Sequence, residues 1–273
     1  MISETIESRF RRSVAIIIGI DKYENGIPPL KTATNDARRL ATTLKDLHNF
    51  EVQLFLDEDA SEQRLSKLLI EQLPNELSAE DRLIFYFAGH GVAIDGDNGP
   101  NGYLLPQDAR RGEEDSYLFM PFVHDALLSL PVRHALIIMD SCFSGAFRWA
   151  ATRDLISLPF VVHEERFDRF VKDPAWQVIT STAHDQKAMD QLSSGSLGTR
   201  PDEQGHSPFA LALFEALEGK ADVVPADGGD GLITATELYL YLESRLQPES
   251  IEEGIRQTPG LWPLSRHDKG EFV

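Results

Sequence analysis

Five stretches of the chain are almost entirely apolar and have the length of a β-strand. They lack the alternation of polar and apolar residues that marks a strand with one face in water. They therefore predict strands that are covered on both faces, as in a parallel sheet. The five stretches are Ser13 to Ile20, Glu51 to Leu56, Arg82 to Phe87, His134 to Met139 and Trp176 to Thr180.

Segments with helical spacing lie between and after these strands. Either Thr34 or Asn35 can cap the first helix, and Ser61 can cap the second. Pro121 can open a third helix that reaches Leu130. The apolar faces of the first two helices are predicted to carry Ala37, Leu40, Ala41, Leu44 and Leu47, and Leu65, Leu68, Leu69 and Leu73. Two further helices are predicted from Ser207 to Glu218 and from Thr234 to Leu246.

The alternation of strand and helix predicts an α/β fold, a three-layer αβα sandwich with a mostly parallel central sheet. In such a sheet, functional residues gather in loops at the C-terminal ends of the strands. We expect a single domain over residues 1–273, with a core over about 13–220 and a C-terminal helix and tail over about 221–273. Phe143 to Pro174 and Asp190 to Gly205 have no periodic pattern and are expected to be long loops.

The net charge of the chain indicates which classes of partner it can bind. Its 44 acidic and 26 basic residues give a formal net charge of -18. Binding to nucleic acid or to an anionic membrane is not expected, because contacts with phosphate need Lys and Arg. Basic peptides would be attracted, although the charge can also serve only to keep the protein soluble.

The N-terminal segment and the cysteine content exclude other classes. The apolar run from Val14 to Ile20 is too short for an export signal or a membrane span, so we expect a cytoplasmic protein. A single cysteine, Cys142, excludes an intramolecular disulfide and a thiolate-rich metal site.

Two loops that follow predicted strands carry candidate chemistry. One strand ends in FYFAGHG, which contains His90, and another ends in IIMDSCFSG, which contains Cys142. On adjacent parallel strands both side chains would emerge at the same sheet edge, where an imidazole can deprotonate a thiol and make it a nucleophile. The amides of Gly91 and Cys142 could then donate to the oxyanion of a tetrahedral intermediate.

These motifs resemble the caspase-like peptidases, and the metacaspase and prokaryotic branch more closely than the animal caspases. The resemblance extends to about residue 220, and the two candidate residues stand roughly fifty residues apart, as the His and Cys of caspases do. It implies a caspase-like fold and a cysteine endopeptidase with Cys142 as nucleophile and His90 as base. One departure is Phe143, where metacaspases usually have His. The matching segments are SVAIIIGIDKY, PLKTATNDARRL, FYFAGHG, DSCFSG, ITSTAHDQ and SPFALALFEAL.

The resemblance also implies what the enzyme cuts. Metacaspases place one Asp two residues before the nucleophile and another in an Asn-Asp-Ala segment, and these positions match Asp140 and Asp36. Two carboxylates suit the guanidinium of Arg or the ammonium of Lys, so the expected substrates are proteins or peptides cut after Arg or Lys. Asp185 resembles a residue of the segment that lines the same cleft. Without the family match, Asp36 would be interpreted as a first-turn helix residue.

No metal site or cofactor is expected, although calcium stays open because many metacaspases need it. The loop of Asp95, Asp97 and Asn98 offers oxygen ligands, but it is equally typical of a solvated turn. A segment ending at Glu237 is similar to the second half of an EF-hand loop but lacks the first side-chain ligands. The preferred interpretation is a capping box of Thr234 and Glu237 that opens a helix.

Two other functions remain open at this point. The domain could be a catalytically silent scaffold or regulatory module, or a protease that cuts after acidic residues. The resemblance further implies a role in bacterial stress, antiviral defence or regulated cell death, with activation by a regulator or an upstream protease. Such a protease could cut the basic stretch between Phe143 and Pro174.

Overall fold

The structure is a computed structural model of the chain, and it describes residues 9–96, 99–141, 170–181, 205–224, 229–253 and 258–273. Two β-sheets are present in this part of the chain. A six-stranded sheet has the strand order β2-β1-β3-β7-β8-β9, and a three-stranded sheet has the order β4-β5-β6. The strands are β1 (Arg12–Gly19), β2 (Glu51–Leu56), β3 (Asp81–Ala88), β4 (Gly91–Gly96), β5 (Gly99–Leu104), β6 (Leu118–Phe119), β7 (His134–Asp140), β8 (Ala175–Thr180) and β9 (Gly260–Pro263).

All five predicted strands are confirmed, and they pair in parallel. Their continuous apolar sequence follows from burial on both faces: Ile16 and Ile17 point to opposite sides of the sheet, and both are fully buried. The last strand, β9, pairs antiparallel with β8 at the sheet edge.

Helices cover both faces of the central sheet, which confirms the predicted αβα sandwich. One face packs against the helices α1, α5 and α6, and the other against α2, α3 and α4. The helices are α1 (Ala33–His48), α2 (Glu62–Lys67), α3 (Leu73–Glu76), α4 (Met120–Leu128), α5 (Pro208–Glu215) and α6 (Ala235–Glu253). A π-helical turn, Leu68–Gln72, joins α2 to α3, and another, Ala216–Lys220, extends α5.

The predicted cap of the first helix is wrong, and Ser61 stands at the N-cap position of the second helix without making a side-chain capping bond. Helix α1 begins earlier, at Ala33, and the carboxylate of Asp21 accepts hydrogen bonds from the amides of Ala33 (2.9 Å) and Thr34 (3.1 Å). Helix α2 does follow Ser61, but the amide of Glu62 donates to Asp108 at 2.8 Å, and the Ser61 side chain makes no capping bond. Distant carboxylates therefore take the place of the local caps.

One predicted core residue is also wrong. Leu47, the penultimate residue of α1, is 58% exposed. The four leucines predicted for the second helical segment are all buried, at Leu65, Leu68, Leu69 and Leu73.

The capping box at α6 is confirmed. The Glu237 carboxylate accepts from the Thr234 amide at 3.0 Å, and the Glu237 amide donates to the Thr234 hydroxyl at 3.1 Å. Across the described ranges, no helix combines the length and apolar character that crossing a membrane requires.

Candidate active site

His90 stands at the C-terminal edge of the central sheet, just after β3. The imidazole is 5% exposed, and its Nε2 lies 2.8 Å from the carbonyl oxygen of Pro28. Since that carbonyl can only accept, Nε2 carries the hydrogen, which leaves Nδ1 as the nitrogen that can take a proton. Burial lowers the pKa of His90, and the weaker opposing influence is the bond to Pro28. The imidazole is thus held neutral, as a base must be.

Tyr23 fixes the backbone and the ring of His90 together. Its hydroxyl accepts a hydrogen bond from the His90 amide at 2.8 Å, and the two ring centroids are 4.8 Å apart. A side chain at position 89 is excluded, because a Cβ on Gly89 would lie 2.8 Å from the Tyr23 hydroxyl oxygen. The glycine before His90 therefore permits this close approach.

Gly91, the predicted oxyanion donor, is buried and opens β4. The carbonyl of His90 accepts a hydrogen bond from the Leu105 amide at 3.0 Å. In a trans peptide the carbonyl and the next amide point in opposite directions, so the Gly91 N–H is directed away from Leu105. This orientation turns the amide toward the side of the strand opposite Leu105.

Cys142 and Asp185 lie outside the described residues. For Cys142, the strand register still gives a relation along the chain. Strands β3 and β7 are adjacent, and Ala88 pairs with Asp140. His90 follows Ala88 by two residues, and Cys142 follows Asp140 by two residues.

Asp36 and Asp140 are brought together through Ser207. The Ser207 amide donates to Asp36 Oδ2 at 3.3 Å, and the Ser207 hydroxyl donates to Asp140 Oδ2 at 3.2 Å. That hydroxyl also accepts from the Ala210 amide and so caps α5. A single serine at the start of a helix thus links a carboxylate on α1 to one at the end of β7.

Both carboxyl groups titrate far above the ordinary range. Burial is the largest cause for each, and it raises the pKa of Asp36 and of Asp140 to about 7. The charge of Asp36 raises the pKa of Asp140 further, while hydrogen bonds from Ser181 and Ser207 oppose the rise. Asp36 is 1% exposed, and Asp140 is half-buried.

Tyr86 lies beneath this pair on β3. Its hydroxyl is buried and has no hydrogen-bond partner within the described ranges. Burial raises the pKa of Tyr86, and the charges of Asp140 and Asp36 raise it further. The Tyr86 hydroxyl is therefore uncharged and lies near the two carboxyl groups.

His206, which sequence reasoning missed, contacts the pair directly. Its Nδ1 lies 2.7 Å from Asp36 Oδ1, and both side chains are buried. His206 ends a segment without any periodic pattern, so no sequence signal singled it out. Ser207 was predicted only as the start of a helix, and Tyr23 was only part of a matching segment.

The structure adds little on metals. Within the described residues, no group of three or more His, Cys, Asp or Glu side chains is arranged to hold a metal ion. Asp97 and Asn98 of the loop that offered oxygen ligands lie outside that part of the chain.

Comparison with known proteins finds a relative of similar sequence and a solved structure of similar fold. Over 182 residues the chain is 28% identical to Metacaspase-3 of Arabidopsis thaliana, a match that covers 60% of this chain and 46% of that protein. The chain therefore spans less than half the length of this curated relative. The crystal structure of protein GSU0716 from Geobacter sulfurreducens has a similar fold, with a TM-score of 0.59 and 14% identity over 93% of each chain.

A family model covers nearly the whole chain. The model of the caspase domain, from a family of peptidases, matches residues 12–267. The match includes β3 and β7, which lead to the candidate residues, and the elements that carry the paired carboxylates, α1 for Asp36 and β7 for Asp140. The chain belongs to the caspase domain family, a family of cysteine peptidases.

Proposed function

We propose that the protein is a cysteine endopeptidase that cuts proteins after Arg or Lys, with Cys142 as the nucleophile and His90 as its base. The observation that carries the proposal is the register of β3 and β7, which gives His90 and Cys142 the same offset from a paired position. The convergence of Asp36 and Asp140 on Ser207 supports the specificity.

The tautomer of His90 suits the reaction. With Nε2–H bonded to Pro28, Nδ1 takes the proton from the Cys142 thiol, and the thiolate attacks the carbonyl carbon of the scissile bond. The amides of Gly91 and Cys142 donate to the oxyanion. His90 returns the proton to the leaving amine, which breaks the peptide bond and leaves an acyl-enzyme. Water, activated by His90, then hydrolyses the thioester and restores the thiol.

The negative charge of the pocket selects a cationic substrate side chain. A pocket with two neighbouring carboxylates can bind a guanidinium through paired hydrogen bonds or an ammonium as a point charge. Asp185 contributes a third acidic group to the same cleft.

The setting of the enzyme follows from the same resemblance. We place it in the cytoplasm, in bacterial stress, antiviral defence or regulated cell death. A regulator or an upstream protease activates it, the latter by cutting between Phe143 and Pro174. Intact mass spectrometry of the active enzyme tests the cut: a single uncut chain would contradict it.

Fluorogenic peptides that end in Arg, Lys or Asp test the function. The full chain, Cys142→Ala and Asp140→Ala are assayed with and without calcium. We expect release after Arg and Lys by the wild type, none by Cys142→Ala, and a large loss by Asp140→Ala. Release after Asp would contradict the specificity, and the absence of turnover from every peptide would favour a scaffold.

A further inference from the structure

Each carboxylate oxygen of Asp36 has a hydrogen-bond partner among the described residues. Oδ1 is 2.7 Å from His206 Nδ1, and Oδ2 accepts from the Ser207 amide at 3.3 Å. His206 is 8% exposed and Asp36 is 1% exposed, so water contributes little at this pair. A carboxylate so enclosed needs a nearby positive charge if it is to stay ionised.

The second carboxylate, Asp140, increases the need for a nearby positive charge. Asp140 is joined to Asp36 through Ser207, and two carboxylates at close range cannot both ionise without compensation. One proton must be held within the cluster near neutral pH. It can reside on either carboxyl group, where it removes an acceptor, or on the His206 imidazole, where it does not.

We propose that His206 is a positioning residue of this pocket: it holds Asp36 and carries the proton that would otherwise sit on the Asp36 carboxyl. Asp36 then remains an acceptor for a cationic side chain. This inference rests on the proposed function, because it assumes that the pocket binds the residue before the cut. With His206 charged, the bound cation also brings the pocket to neutrality.

The groups around the pair are consistent with this role. Asp21 faces Asp36 from the segment before α1, and Tyr86 faces it from β3. The ring of His206 packs edge-to-face against the ring of Phe214 on α5, with the two centroids 5.4 Å apart. The guanidinium of Arg39 lies over the same Phe214 ring, 4.6 Å from its centroid. Arg39 is itself paired with Glu218, at 3.1 Å.

Arginine should depend on His206 more than lysine does. A guanidinium forms parallel hydrogen bonds and benefits from two ionised carboxylates, whereas an ammonium needs only a nearby negative charge. If Asp36 becomes protonated, its hydroxyl is a donor and faces the donors of the guanidinium. Loss of the imidazole charge therefore weakens binding of Arg first.

The test separates charge from hydrogen bonding. In His206→Asn the side-chain amide keeps a donor near the position of Nδ1 but cannot be charged. His124→Asn is the matched control, since Nδ1 of this buried histidine also pairs with an aspartate, Asp125, at 2.9 Å, on the opposite face of the sheet. Asp36→Asn and the double variant with His206→Asn complete a mutant cycle.

We expect KM for Arg peptides to rise about tenfold in His206→Asn at pH 6, an effect of one pKa unit, and to stay within about threefold of wild type at pH 8. Lowering the pH places the proton on Asp36 in the variant and on His206 in the wild type. We expect kcat to be unchanged, KM for Lys peptides to rise less, and the control to match wild type. In the Asp36→Asn background, His206→Asn should have no further effect.

Two results would overturn the role of His206: a KM profile with pH that matches wild type, or an equal effect with and without Asp36. Binding of benzamidine, an aryl amidine cation, to Cys142→Ala separates this proposal from the proposed function. If the wild type cuts no peptide but benzamidine binds and loses affinity at pH 6 on addition of His206→Asn, the inference stands and the peptidase proposal fails. No benzamidine binding at either pH overturns the pocket and the inference together.

Discussion

At the scale of single residues, burial perturbs the base and the pocket in opposite directions. It disfavours the charged form of each group, so it lowers the pKa of His90 and raises the pKa of Asp36 and Asp140. The base is therefore ready at a pH where the pocket has not fully ionised. The pocket, and not the imidazole, should limit activity on the acid side.

The raised pKa of Asp140 also predicts how stability depends on pH. A carboxyl group whose pKa is higher in the folded state contributes stability while it is protonated, and this contribution is lost as the pH rises from about 4 to about 7. Asp140→Asn removes that loss. We expect the free energy of unfolding of the variant to gain about 1 kcal/mol over wild type between pH 5.5 and pH 8, discounted because Asp140 is half-buried.

Urea unfolding at several pH values measures this difference, and Asp46→Asn, at an exposed position on the same side of the sheet, is the control. Parallel curves for wild type and Asp140→Asn would contradict the prediction. Since the same variant loses an acceptor for the substrate cation, it should be the more stable protein and the poorer enzyme.

Tyr23→Phe tests how His90 is held. The variant keeps the ring against the imidazole but leaves the buried His90 amide without its acceptor, which costs about 1–3 kcal/mol. We expect kcat for Arg peptides to fall about tenfold with KM nearly unchanged, because the pocket is untouched. Tyr117→Phe is the control, since its hydroxyl likewise accepts from a backbone amide, that of Gly112. Equal losses in both variants would indicate a general effect on folding.

At the scale of helices and strands, the sequence was informative where burial is complete and local. Strands β1, β3, β7 and β8 were predictable because both of their faces are covered, which leaves no polar alternation, whereas β2, at the sheet edge, is only partly buried. The strands β4 to β6 were not predicted, since they are short, rich in Gly, Asp and Asn, and half-exposed. Strand β9 was not predicted, because prolines and glycines interrupt its sequence. Its pairing with β8 makes it a strand.

The residues of the candidate site likewise include some that the sequence could predict and some that it could not. His90, Asp36 and Asp140 were accessible to sequence reasoning because they belong to motifs at strand ends and at a helix start. The partners that set their chemistry were not, because they are distant along the chain. His206 and Ser207 lie 170 and 171 residues from Asp36, and Pro28 lies 62 residues from His90.

Helix α1 offers a prediction at this scale, because a distant carboxylate caps it and its first turn carries Asp36. Asp21→Ala leaves the amides of Ala33 and Thr34 without an acceptor, and we expect it to lower the free energy of unfolding by about 1–2 kcal/mol. The frayed turn should also raise KM for Arg peptides. Denaturant unfolding and steady-state kinetics measure the two effects.

Asp108→Ala is the matched control for this prediction. It removes the cap of α2 in the same way, but α2 packs on the opposite face of the sheet and carries no pocket residue. It should lower stability without changing KM. A rise of KM in both variants, or in neither, would contradict the prediction that the cap of α1 maintains the geometry of the pocket.

At the scale of the whole molecule, charge and site are complementary. The net charge of -18 repels acidic chains and attracts basic ones over distances that the pocket alone does not reach. The pocket then selects one cationic side chain from a substrate that the overall field has already favoured. Two separable contributions to specificity follow, one local and one long-range.

Salt separates these contributions. Raising the ionic strength from about 0.05 M to about 0.5 M shortens the screening length from over 10 Å to less than 5 Å, which weakens long-range attraction but hardly affects a bound ion pair in a buried pocket. For an Arg peptide with further Lys residues on either side, we expect kcat/KM to fall several-fold over this range, whereas an otherwise neutral Arg peptide should change little. Equal salt dependence for the two peptides would mean that the pocket alone selects the substrate, and that the acidic surface serves only solubility.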